Sequence, residues 1–240
     1  MWVYFTVLLV LLSINNLSVT LYLHRVVCHR SIRLHSLIES FFRFALWTMT
    51  KIQLKSWVAV HRYHHHTSDT EKDPHSPLNT GFWKMLFFGP FWQLEKRLGD
   101  NSKKIIELYS KDIDESPREI FYNNHPWLGK LLLLLILVLF LGLWAIPIWA
   151  VAINWVHVTE ERLHPALAHY YGYRNFNTNE NSHNVIPWAL IMYGEELHNN
   201  HHAKPSNWSF RAKWYEIDPG AIFAQCLIWL NLAKPTNAVN

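Results

Sequence analysis

Apolar residues in this chain are gathered into a few long runs separated by polar stretches, a distribution that predicts membrane-crossing helices joined by polar segments. Residues 2 to 22 are mostly apolar, interrupted by the pair Asn15 and Asn16, and are about long enough to span a bilayer as one helix. No basic residue precedes this run and several follow it. A cleavable leader starts with positive charge, so a retained helix with its N-terminus outside is expected. Residues 131 to 158 are apolar except for Gly142, Pro147, Asn154 and His157, and the helical pattern extends from Trp127 to about His169. That is two spans' worth of chain, so the pattern predicts a tight turn near Pro147 between antiparallel spans at 127–146 and 148–169. Lys and Arg are missing from 131 to 161, as an outer turn requires. A single long tilted span is the alternative, and it would put the later histidines across the membrane from the earlier ones.

The stretch 37–60 is also hydrophobic, but Glu39, Arg43, Lys51 and Lys55 fall at multiples of four on one helical stripe. A helix with one charged stripe lies in the membrane interface. Treating it as interfacial also keeps the histidines at 24 and 29 on the same side as those at 61 to 65. The expectation is an all-α integral membrane protein with about three transmembrane helices, interfacial helices and a cytoplasmic histidine-rich cap, built as one domain over 1–240. Residues 97 to 118 read as a charged helical connection.

Composition sharpens this in two places. Residues 24 to 126 hold 15 of the 22 Lys and Arg, and residues 1 to 23 hold none, which marks a cytoplasmic segment beside a membrane. A nucleic-acid-binding surface is the rival reading of that basic bias, and the long apolar runs speak against it. Cys28 and Cys226 are too few for a disulfide framework and are read as reduced.

Among 16 histidines, three clusters stand out: His24-x4-His29, His61-x2-His64-His65 and His198-x2-His201-His202. Positions i, i+3 and i+4 share a helix face, so each triplet can converge on a common point. His24 and His29 lie about 140° apart on an ideal helix, which suits a ligand pair at a helix end where the backbone changes course. Neutral imidazole binds iron, copper or zinc. One ion takes at most six ligands, so eight histidines imply two ions, and a pair of redox metals open to dioxygen suits difficult C–H oxidation. Asp69, Glu71 and Asp73 follow the second cluster, and Glu195 and Glu196 precede the third. Of these, Asp69, Asp73, Glu195 and Glu196 are candidates to accept the other ring N–H and fix ring orientation.

These residues resemble the membrane-bound fatty acid desaturase family, most closely its bacterial acyl-lipid and acyl-CoA branch. The likeness runs from about residue 18 to 210 through LHRVVCHRSIRLH at 23–35, WVAVHRYHHHTSDTEKDPHSP at 57–77, AHYYGYRNF at 168–176 and GEELHNNHH at 194–202. It implies two iron ions held by nine histidines, with dioxygen as co-substrate. His24, His29, His61, His65 and His201 would hold one iron, and His64, His169, His198 and His202 the other. It also implies a fatty acyl substrate carried on coenzyme A or phospholipid, and insertion of a cis double bond. Electrons would come from a separate ferredoxin- or cytochrome b5-type donor with its reductase, because no such segment is recognised in the chain. The setting it implies is the bacterial inner membrane, with the histidines facing the cytoplasm.

The sequence departs from the family before His169, where relatives usually carry Asn four residues earlier and this chain has Pro165. Glu160, Glu161, Arg162 and His164 replace residues that are mostly apolar in relatives. Ionisable residues so near a membrane core are functional candidates, and Glu161 or His164 could be an extra metal ligand or line a polar pocket. Arg174 and Asn175 could meet a substrate headgroup or an acidic electron donor. His35, His66, His75, His125, His157 and His183 are read as structural or solvent-facing. Two other functions fit less well: a lipid hydroxylase or monooxygenase of the same histidine-rich class, and a non-catalytic metal-binding membrane protein.

Overall fold

In the computed structural model, which describes residues 1–89, 99, 101–113 and 115–236, the first apolar run is one continuous helix. Its first part, α1 (Trp2–Leu17), is α-helical, and Ser18–Cys28 continues it as a π-helix. Asn15 and Asn16, the polar break in the run, are buried and tie helices together. Asn15 Nδ2 donates to the Ala152 carbonyl at 2.9 Å, and Asn16 bonds both the Ile191 carbonyl and the Trp155 indole N–H at 2.8 Å.

The chain then forms β1 (Ile32–Leu34), α2 (Ser36–Met49) and α3 (Leu54–Thr67). The interfacial stretch expected at 37–60 is therefore two helices. Thr50 ends α2: its hydroxyl donates to the Leu46 carbonyl at 2.7 Å and accepts from Ile52 N–H at 3.2 Å, so a side chain competes for backbone partners that a continued helix would need. Nor is the charged stripe all solvent-facing. Arg43 is buried and forks onto Glu119 at 2.6 to 2.9 Å.

Helices α4 (Pro77–Thr80), α5 (Phe82–Phe88), α6 (Asn101–Tyr109) and α7 (Pro117–Asn124) lead to the second apolar stretch; within the expected connection at 97 to 118, residues 97, 98, 100 and 114 lie outside the described ones. That stretch is α8 (Pro126–Leu141), a 3-10 turn (Gly142–Trp144), α9 (Ala145–Val158), a second π-helical turn (Thr159–Leu163) and α10 (His164–Ala168). The reversal is at Gly142 and not near Pro147. Gly142 has φ +61° and ψ −149°, a conformation open only to glycine. Pro147 sits in the first turn of α9, where its missing N–H has no intrahelical acceptor to disappoint.

Trp2–Cys28 and Pro126–Ala168 are long and apolar enough to cross a membrane. The aromatic rings of Tyr4 and Trp144 lie 6.1 Å apart, so the N-terminus and the Gly142 turn share one end of the bundle. All three histidine clusters lie at the other end. The remaining elements are α11 (His198–Ala203), α12 (Pro219–Trp229) and β2 (Ala233–Pro235), which pairs antiparallel with β1 in the register Ile32↔Pro235.

Candidate metal centre

The spacing His24-x4-His29 is explained by the π-helix that carries it. With i→i+5 hydrogen bonds, a residue five positions on sits about one turn above the first, and His29 N–H donates to the His24 carbonyl at 3.0 Å. α3 brings His61, His64 and His65, α11 brings His198, His201 and His202, and His169 caps the C-terminus of α10.

These nine rings gather into two groups, His24, His29, His61, His65 and His201 in one and His64, His169, His198 and His202 in the other. Neither triplet converges on a single point as its spacing allows. On α3, His61 and His65, four apart, turn to the first group while His64 turns to the second; on α11, His198 and His202 turn to the second and His201 to the first. In the first group, Nε2 of His61 lies 3.0 Å from His24, 3.1 Å from His29 and 3.0 Å from His65. His201 Nε2 is 3.1 Å from His24 and 2.9 Å from His65. Ligands at about 2.1 Å and right angles around one ion stand about 3.0 Å apart. In the second group His169 and His198 Nε2 are 3.0 Å apart, while the buried Nε2 atoms of His64 and His202 have no hydrogen-bond partner. The donor set fits a pair of metal ions.

Carboxylates set the ring orientation. His24 Nδ1 donates to Glu195 at 2.7 Å, His64 Nδ1 to Asp73 at 2.8 Å and His169 Nδ1 to Asp69 at 2.9 Å. A neutral imidazole has one N–H, so each of these bonds leaves a lone pair on Nε2, aimed at its group. Burial, reinforced by repulsion between rings, holds His29, His61, His65, His198, His201 and His202 well below the usual imidazole range, in the neutral form that binds metal. For His64, burial pulls the same way, but Asp73 outweighs it and the ring ends above its usual range. Burial alone would raise Asp73 and Glu195, yet His64 and His24 respectively bring both carboxyls below their usual range.

The support behind the first group reaches far along the chain. Arg25, buried beside His24, forks onto Asp218 at 3.0 Å, lies 3.8 Å from Glu195 and stacks 3.8 Å over Phe210. Gly194 makes room for it: with φ +114°, a side chain there would be strained and would crowd Arg25 and Asp218.

Other candidates are placed differently. Glu196 accepts from the backbone N–H groups of Ile191, Met192 and Gly194 and from no histidine. Glu180, which the sequence reading missed, lies 3.7 Å from His202 Nδ1 and 4.0 Å from His169 Nδ1. It is 111 residues from Asp69 along the chain, so no local spacing announces it. Glu161 pairs with His157 at 2.7 Å and His164 Nε2 bonds the Glu195 carbonyl at 2.9 Å; neither belongs to a group. Arg174 donates to the carbonyls of Thr178 and Glu180, and Asn175 to Asn200 and Glu216. Both brace a loop, and those donors are spent inside the protein.

A cavity of about 40 Å³ opens onto both groups, lined by His24, His61, His64, His169 and His198 together with His75, Glu160 and Pro165. His75 therefore faces the centre instead of solvent, and burial pushes it down to about 3. Trp57 and Glu161 line this cavity and a larger one of about 290 Å³, which Lys51, Ile52, Gln53, Ser56 and His157 complete.

Comparison with known proteins matches residues 1–226 to the family described as Fatty acid desaturase. The chain is 30% identical over 224 residues to the Delta-9 acyl-lipid desaturase 1 of Arabidopsis thaliana, covering 90% of this chain and 70% of that protein. It is 31% identical over 226 residues to the sn-1 stearoyl-lipid 9-desaturase of Anabaena variabilis, with 91% and 78% covered. It is also 30% identical over 225 residues to the Icosanoyl-CoA 5-desaturase of Limnanthes douglasii, with 90% and 60% covered. A match of that extent shows that the chain belongs to the fatty acid desaturases and is an oxidoreductase.

Proposed function

We propose that this chain is a membrane fatty acyl desaturase that uses two iron ions and dioxygen to insert a cis double bond into an acyl chain. The observation that carries the reading is the convergence of nine imidazoles, from four separate parts of the chain, into groups of five and four that share one cavity. In sum, an acyl –CH2–CH2– segment, one O2, two electrons and two protons become –CH=CH– and two waters. The irons, when bound, supply the redox chemistry of that change.

The protein's own residues do the rest. The nine histidines hold the ions, and Glu195, Asp73 and Asp69 hold the Nδ1 proton of His24, His64 and His169, so that in the neutral ring Nε2 carries the coordinating lone pair. Trp57 and Glu161, which the two cavities share, form the passage by which an acyl chain reaches the histidines from the larger cavity. Closing that passage around the chain positions one methylene pair and excludes water. Relatives named for acyl-lipid and acyl-CoA substrates support a chain carried on phospholipid or coenzyme A. The two electrons require a donor, for which a ferredoxin- or cytochrome b5-type protein with its reductase is the fitting class. α1, α8 and α9 with their extensions form three spans, α2 lies at the interface, and the histidines face the cytoplasm.

The test is expression in a host lacking the activity, followed by mass spectrometry of its fatty acids, beside His64→Ala and His201→Ala controls. New unsaturated chains that vanish in both controls are the expected result. Hydroxylated chains in their place would assign the monooxygenase outcome, and an unchanged profile from iron-loaded, folded protein would reject both.

A further inference from the structure

Pro165 has a consequence one turn upstream. Lacking an N–H, it cannot donate to the helical backbone before it, and Thr159–Leu163 widens into a π-helical turn. π-Helical turns within α-helices frequently mark functional positions. Within this one, Glu161 pairs with His157, whereas Glu160 lines the small cavity with His64, His169 and His198.

The Glu160 Oε1 atom is buried and has no hydrogen-bond partner. Arg25, the cation buried on the same side, is already committed to Thr20, Trp208 and Asp218. A buried carboxylate oxygen is costly unless it meets a donor or a metal. The neighbouring histidine group has four members where the other has five, and two of its Nε2 atoms are likewise unpartnered. The cavity between them, about 40 Å³, is large enough for a water molecule.

We infer that Glu160, whose carboxylate stands outside the two groups of ligand atoms, completes the coordination of the ion held by His64, His169, His198 and His202 by holding one water against it. Oxygen donors suit iron alongside imidazole, and Pro165 on the same wall has no side-chain atom able to do this. The inference rests on the two-iron reading above and adds a ligand position to it.

The test is made on the full chain purified in detergent and loaded with 57Fe. Iron content is measured after dialysis against a graded chelator, and Mössbauer spectra are recorded for the wild type, Glu160→Gln, Glu160→Asp and Glu161→Gln. The wild type is expected to hold two irons per chain. Glu160→Gln should bind one of them about 10–100-fold more weakly, with one of two spectral components altered and the other unchanged. Glu160→Asp should fall between, which serves as the reading should Gln misfold, and Glu161→Gln should match the wild type. Two irons held in Glu160→Gln with wild-type affinity and spectra would overturn the inference while leaving the two-iron reading intact. Fewer than two irons in the wild type would overturn both.

Discussion

The five-histidine and four-histidine halves of the centre use the same ligand and are supported in opposite ways. Behind the first stands a buried network drawn from distant parts of the chain, in which Arg25 joins Glu195 and Asp218. Behind the second stand carboxylates from loops, with Asp73 only nine residues from His64, Asp69 beside it, and Glu180 11% exposed. One half is braced by a buried cation that gathers carboxylates from distant parts of the chain, and the other by loop carboxylates that approach its histidines one by one, Asp69 reaching His169 across 100 residues. Their responses to perturbation should therefore diverge, with damage to the first spreading through the fold and damage to the second staying at its ion.

Acid should erase that contrast, and it is the largest effect expected. Six of the nine grouped histidines, and His75 beside them, are held below the usual range in the folded protein, so the unfolded chain binds more protons than the folded one as pH falls below about 6.5. Stability of the metal-free protein should fall with pH through that region, because protons are taken up on unfolding. Protons compete with metal for the folded rings only lower still, so iron should be released at a pH below the onset of that loss; thermal unfolding and iron content against pH measure both. A metal-free protein equally stable on both sides of that region would contradict the assignment of neutral rings.

Next in size is Arg25→Leu, which leaves Asp218 and Glu195 buried without their cation. Removing one partner of a buried pair costs about 3–5 kcal/mol, so the variant should unfold at markedly lower temperature or fail to accumulate. A variant with wild-type unfolding that loses one iron alone would remove the contrast between the halves.

Glu195→Gln and Asp73→Asn then sharpen it. Each should weaken one ion about 10–100-fold, the first at the five-histidine half and the second at the four-histidine half, visible as complementary changes in iron content and spectra. If both weaken the same ion, the division into halves is wrong. The smallest effect is expected far from either half. Gly142→Ala meets no neighbouring atom but must adopt φ +61°, at a cost of about 1–3 kcal/mol read in thermal unfolding, with iron content unchanged.

Much of this was legible from residue order. The apolar runs announced the long helices, and the triplets at i, i+3 and i+4 announced helices carrying histidines. Three features were hidden, each for a physical reason. The π-helix under His24 and His29 carries no marker in the residue order, so an ideal α-helical wheel misplaces the pair. The reversal at Gly142 lost to Pro147 in the reading because proline is the louder breaker, although it is harmless in a first turn. Arg43 looked like surface charge until Glu119, 76 residues away, turned out to face it.

Because α3 and α11 each send histidines to both groups, the gap between the two centres is a property of backbone rods. On a helix, side chains three and four apart are about 5–6 Å from one another at Cβ, a length locked by main-chain hydrogen bonds. Rotamer changes can tilt individual rings, but they cannot draw the centres together or push them apart. Any motion that twists either rod must disturb both histidine groups in the same stroke, so the two groups move as one mechanical unit.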